Sequence, residues 1–103
     1  MNSLTAKLTD IDKVIHERAR LGIMSLLAAT ADITFVELKQ HLQMTDGNLS
    51  VHLRILEEAG YVAIEKSFVE RKPRTAVKIT KKGRAAFKSY IDALEQIIQR
   101  AKG

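Results

Sequence analysis

The chain has 103 residues, of which 46% are apolar and 28% charged, and a formal net charge of +5. That length suits one globular domain with its own core and little beyond it, so residues 1–103 are expected to form a single domain. Cysteine is absent, which excludes a disulfide framework, a thiolate metal site and a thiol redox switch.

No apolar run approaches the roughly 20 residues of a membrane span, and the N-terminus lacks the basic-then-apolar layout of a signal peptide. A cytoplasmic protein without a membrane partner is therefore expected. The charge is unevenly placed. Residues 65–84 carry +6, and the rest of the chain sums to −1. Such asymmetry is the footprint of a polyanion-binding face, against the plainer reading of a solvated hairpin.

In chain order, Met1–Lys7 reads as a loose arm. From Glu17 to Ala29, Leu21, Met24, Leu27 and Ala28 recur at helical spacing, beside Ile23 and Leu26. Gly22 inside that helix costs about 1 kcal/mol against alanine, which close approach of another helix would explain. Ile33-Thr34 can form a very short strand. Thr34 with Glu37 makes a capping box for a helix over Phe35–Leu42, burying Phe35, Leu38 and Leu42. Gln43-Met44 is a turn. Thr45 caps the next helix, Thr45–Ala59, and Asp46 suits the positive end of its dipole. Gly60 fits the left-handed position that ends the helix.

Two β-rich segments follow, Val62–Val69 and Thr75–Thr80, joined by a loop Glu70–Arg74 that holds Pro73, the chain's one proline. Thr80 caps a last helix, Lys81–Arg100.

The helix after Thr45 carries the functional signal. With Leu49 at the centre of its buried face, Leu53, Leu56, Ala59 and His52 fall inward at 100° per residue. Gly47, Ser50, Val51, Arg54 and Glu58 fall outward, with Asn48 and Ile55 on the flank. Small and polar residues there leave room for a close neighbour and suit a DNA major groove. Thr45, Asn48 and Ser50 can hydrogen-bond bases or phosphate, and Val51 can meet a thymine methyl. Arg54 can reach guanine or phosphate, and Gly47 lets the backbone approach the sugar-phosphate chain. An ordinary surface helix is the alternative.

Helix–turn–helix, then Gly60-Tyr61-Val62, then a basic hairpin resembles the winged helix-turn-helix of the MarR and ArsR groups of bacterial and archaeal regulators. LSVHLRILEEAGYV is similar to their recognition-helix stretch, and HERARLGIMSLL at His16–Leu27 resembles their first helix. Ala63–Glu95, AIEKSFVERKPRTAVKITKKGRAAFKSYIDALE, looks like a family of small stand-alone winged-helix proteins. The resemblance covers about Asp10 to Glu95. It implies that Arg71, Lys72 and Arg74 form a wing on the minor groove or adjacent backbone, and it favours glycine where this chain has Glu70. Guanidinium groups make Arg71 and Arg74 the better wing contacts, with Lys72 a diffuse phosphate contact.

Phe87, Tyr90, Ile91, Leu94, Ile97 and Ile98 form one apolar stripe on the last helix. Its lower part has little of its own domain to cover, so a partner copy is expected there. A homodimer would present two recognition helices to half-sites about one DNA turn apart, matching a palindromic operator. The fold class expected is mainly α with a small β-hairpin. It is a winged helix-turn-helix over residues 10–80 with an extra C-terminal dimerisation helix over residues 81–100.

His16, His41 and His52 lack metal-site spacing, and His52 reads as a satisfied, half-buried histidine. Nothing calls for a cofactor, and neither a catalytic carboxylate pair nor a phosphate-binding glycine loop is present, so an enzyme is not expected. The reading is a sequence-specific, homodimeric regulator that binds double-stranded DNA. Its rivals are a protein-interaction or architectural module, and a switch taking an apolar small molecule near Phe87 and Tyr90.

Overall fold

The computed structural model describes Leu8 and residues 10–103; the expected arm Met1–Lys7 lies outside the described residues. The elements are α1 (Arg18–Ala29), β1 (Ile33–Thr34), α2 (Phe35–Leu42), α3 (Asp46–Glu58), β2 (Val62–Val69), β3 (Lys72–Ile79) and α4 (Lys81–Lys102). No helix among the described residues is long and apolar enough to cross a membrane.

Side-chain caps start the helices. Glu17 accepts the Arg20 N–H at 2.8 Å, and Thr34 and Glu37 complete their capping box. Thr45 Oγ accepts the Asn48 N–H at 3.1 Å, and Thr80 Oγ the Gly83 N–H at 2.9 Å. Each cap satisfies a donor that the first turn leaves unpaired. Gln43, with φ of 53°, ends α2, and Gly60, with φ of 83°, turns the chain after α3.

The core joins Ile23, Met24 and Leu27 of α1 to Leu38 of α2, Leu49, Leu53 and Leu56 of α3, Val62, Val77 and Tyr90. Gly22 faces α2 as its position required: a Cβ there would sit 3.1 Å from Leu42 Cδ2. The sheet exceeds the expected hairpin. β1 adds to it in antiparallel order β1-β3-β2, with Ile33 opposite Val77 and Thr34 opposite Ala76.

The wing is tighter than the sequence suggested. β3 begins at Lys72 instead of Thr75, so the expected loop Glu70–Arg74 shrinks to a turn at Glu70 and Arg71, with φ of 52° and 68°. A two-residue turn with both φ positive matches the right-handed twist of the strands, and outside Gly, Asn or Asp it costs about 1 kcal/mol per residue. Pro73 is a strand residue opposite Phe68. Counting from the closing pair Val69–Lys72, the ladder leaves the position of Pro73 facing away from β2, so no strand bond is lost.

The last helix also differs from expectation. It runs to Lys102, past Arg100. Tyr90, assigned from sequence to a dimer interface, is 1% exposed within the protein's own core, and its hydroxyl lies 2.9 Å from His16 Nδ1. Burial pushes its phenol pKa above the usual value. The apolar stripe therefore serves two purposes, and its proximal part belongs to the core. No residue of α4 beyond Ala93 is buried. The radius of gyration, 15.6 Å, exceeds the about 13 Å of a compact chain this size, as expected when the distal half of α4 projects from the body.

One junction ties the elements together. The Thr80 N–H donates to the Tyr61 carbonyl at 3.0 Å, and the Thr80 hydroxyl donates to the Gly60 carbonyl at 2.6 Å. Gly83 packs so closely that a Cβ would collide with the Tyr61 backbone. The Tyr61 hydroxyl donates to Asp12 at 2.5 Å, and Lys82 Nζ lies 5.9 Å from its ring centroid. Replacing Gly83 by alanine is expected to cost about 2 kcal/mol or more, because backbone must move, and to lower Tm by roughly 10 °C in a thermal melt.

The hydrogen bond to Asp12, with burial and the negative charge beside it, pushes the Tyr61 phenol up to about 12. An unfolded tyrosine ionises near pH 10, so the stabilisation is complete below about pH 10. Above it the unfolded chain loses a proton that the folded chain keeps, and stability falls as pH approaches the folded value. Tyr61→Phe is expected to cost about 1 kcal/mol at neutral pH and to flatten this alkaline decline, as read by urea unfolding across the range.

Candidate nucleic-acid interface

Helix α3 is fixed at both ends and in the middle. Thr45 caps its start and the Gly60–Tyr61 junction fixes its end. Midway, Arg20 Nη1 donates to His52 Nδ1 at 3.0 Å while its Nε donates to the Val14 carbonyl at 2.6 Å. A guanidinium can only donate, so Nδ1 accepts and the ring proton sits on Nε2. Glu17 stands 3.6 Å from the same nitrogen. Burial raises the Glu17 pKa, but the backbone N–H groups of Arg20 and Ala19 and the Arg20 guanidinium nearby outweigh it and hold the carboxyl below its usual range. His52 is thus the satisfied, half-buried histidine its helical position suggested.

With Leu49, Leu53 and Leu56 turned inward, Thr45, Gly47, Asn48, Ser50, Val51 and Arg54 are all exposed, Asn48 on the side of α1 and α2 and Ser50 and Arg54 on the side of the sheet. The Thr45 oxygen is used as acceptor in its cap, which leaves the hydroxyl hydrogen free to donate to a phosphate oxygen. A Cβ on Gly47 would meet nothing within 4 Å, so the fold itself does not require glycine there. Asp46 beside it pairs with Lys39 at 2.8 Å. Glu57 and Glu58 are exposed at the far end of the helix, so the N-terminal half is the part suited to a polyanion.

Strand alternation sorts the wing into two faces. Ile64, Lys66 and Phe68, with Pro73, Thr75 and Val77 across from them, share the face turned toward α3. Lys72 and Arg74 lie on the opposite face, and Arg71 stands at the tip. Arg74 is half-buried and binds Asp32 at 2.9 Å, so its guanidinium is paired within the fold. Lys66 was not singled out in the sequence. It lines a groove of about 390 Å³ between α3 and the sheet, together with Ser50, Arg54, Ile64 and Thr75. Its alternation with Ile64 was the available signal. Among the described residues, Arg54, Lys66, Arg71 and Lys72 have no ion-pair partner, whereas Lys78 pairs with Glu65 at 3.1 Å.

On α4, Phe87, Ile91, Leu94 and Ile97 are half-buried and Ile98 is 44% exposed. Tyr90 has no surface to offer.

Residues 19–98 match the family described as the winged helix DNA-binding domain. The chain belongs to this family. An uncharacterised protein of Methanocaldococcus jannaschii is 42% identical over 85 residues, covering 82% of this chain and 92% of that one. Among solved structures, a transcriptional regulator homologue from Pyrococcus horikoshii OT3 matches with a TM-score of 0.87 and 34% identity, over 93% of this chain and 97% of that one. A protein described as a MarR-family transcriptional regulator of Enterococcus faecalis V583 matches with a TM-score of 0.70 and 25% identity, over 99% and 87% of the two chains. The winged helix thus sits among transcriptional regulators.

Gly47 gives the face a direct test. Gly47→Ala is expected to raise stability by about 0.5–1 kcal/mol, since helix propensity improves and nothing clashes. The same change is expected to weaken binding to duplex DNA at least several-fold. A melting curve and a duplex titration on one preparation read both effects.

Proposed function

We propose that this winged-helix chain is a homodimeric transcriptional regulator that binds double-stranded DNA sequence-specifically, with a palindromic operator. The observation that carries the reading is the exposed side of α3, with Thr45, Asn48, Ser50 and Val51 at its N-terminal half, Arg54 just past its midpoint, and a glycine with empty space around it. Hydroxyl, amide and guanidinium groups can address base edges there, and Gly47 lets the backbone come close to the sugar-phosphate chain.

The charge distribution supports this. Residues 65–84 carry +6 against −1 for the remainder, and Lys66, Arg71 and Lys72 remain without ion-pair partners among the described residues. Phosphate neutralisation by such groups would dominate affinity and make it fall steeply with salt. Arg71 at the wing tip is the cation placed for the minor groove, Lys72 reaches phosphate, and Arg74 supports the wing through Asp32.

Dimerisation is assigned to the distal part of α4. Leu94 packs at the edge of the protein's own core, and Ile97 and Ile98 lie beyond it. A second copy packed there would cover them and set two α3 helices on one side of the dimer.

The roles of Arg54 and Lys72 separate in a titration of the dimer against matched and mismatched duplexes at several salt concentrations. Arg54→Ala is expected to lose discrimination, with about 1–3 kcal/mol less difference between sites. Lys72→Ala is expected to weaken every duplex alike and to lower the salt slope by about 0.9. Equal losses on all duplexes from both variants would refute this division.

A further inference from the structure

Phe68 is the most exposed large apolar residue described, at 75%, and it is not at a place where an isolated surface phenylalanine is indifferent. It follows Ile64 and Lys66 by strand alternation on the face turned toward α3, two residues out from the groove that Lys66 shares with Arg54. Directly across the ladder from it stands Pro73, also exposed. An aromatic ring and a pyrrolidine ring therefore form an apolar pair near the wing tip, one residue from the turn, with Lys66 on the same face and Arg71 at the tip.

We infer that Phe68, backed by Pro73, is an apolar wedge that the wing sets into the minor groove of duplex DNA and against a base step. The inference rests on the DNA-binding reading proposed above and adds a residue and a mode to it. Charge complementarity selects the occupant. A ring with Lys66 beside it on the same face and Arg71 at the tip, neither having an ion-pair partner among the described residues, suits a polyanion with an apolar interior. Apolar side chains entering the minor groove partly unstack a step and open it toward the major groove. Pro73 holds the opposite strand stiff, so the ring has a fixed backing when it meets the stacked bases. Deformation is easiest at pyrimidine–purine steps, so the wedge would contribute specificity at flanking positions that α3 does not reach.

The test uses the full chain and a duplex carrying 2-aminopurine at the step beneath the wing. Wild-type protein is expected to raise the fluorescence of the probe as the step unstacks. Phe68→Ala is expected to abolish that rise and weaken binding about tenfold while leaving the salt slope unchanged, because an apolar contact releases no counterions. Phe68→Leu is expected to keep part of both. Lys72→Ala should show the converse, a smaller salt slope with the fluorescence rise retained. Because Phe68 is exposed, Phe68→Ala should melt with the wild type, which separates loss of contact from loss of fold. Binding within about twofold of wild type and an unchanged probe signal in Phe68→Ala would overturn the wedge and leave DNA binding intact. Loss of self-association in Phe68→Ala would overturn it too, assigning the ring to a contact between copies. Wild-type protein that binds no duplex would instead defeat the DNA-binding reading and the wedge with it.

Discussion

The contacts around Gly60 and Tyr61 hold α3, the β2–β3 hairpin and the last helix in one geometry. Thr80 bonds three ways there, its hydroxyl accepting from the Gly83 N–H and donating to the Gly60 carbonyl, while its own N–H reaches the Tyr61 carbonyl. Gly83 lets α4 press against the Tyr61 backbone, and Asp12 takes the phenol from the other side. Three elements start or end within a few ångströms of each other. The orientation of α3 relative to the wing is therefore set by short backbone bonds, with no flexible connection between them. A copy docked through α4 would inherit that orientation, and half-site spacing would follow from the same junction.

Local costs without a local reason gather on the outer side of this frame. Gly47 weakens α3 although a side chain would fit, and Glu70 and Arg71 adopt positive φ that glycine or asparagine would hold more easily. Phe68 leaves an aromatic ring in water. Elsewhere the sequence is consistent with itself: no buried side-chain polar atom among the described residues lacks a partner. Departures from local consistency concentrated on one face are where a binding demand overrides folding preference. The cations divide along the same line. Arg20 and Arg74 serve the fold, while Arg54, Lys66, Arg71 and Lys72 are left to solvent.

Caps were legible because they act within three residues. Thr34 with Glu37, Thr45, Thr80 and Gly60 each announce a helix end by chemistry that needs no distant partner, and the element order follows from them. The inward and outward faces of α3 were legible for the same reason, since one periodicity governs them. The wing turn was not. Glu70-Arg71 lacks the usual turn residues and Pro73 looks like a breaker, so a longer loop was read where a tight hairpin stands. Arg74 could not be separated from Arg71 either, because its partner Asp32 is 42 residues away. Tyr90 shows the limit of an apolar stripe. Periodicity marks which residues are covered, and only tertiary structure shows that His16 and the core cover this one. The importance of Gly83 is equally tertiary, lying in the approach of a backbone 22 residues earlier.

Selection of bound duplexes from a randomised DNA pool by the full chain addresses the proposed reading most directly, with the winner compared against scrambled DNA at physiological salt. A palindromic winner with half-sites about one turn apart, bound at least about a thousandfold more tightly than scrambled sequence, is the expected result. A pool that enriches no sequence, with only weak and salt-sensitive binding, would contradict it.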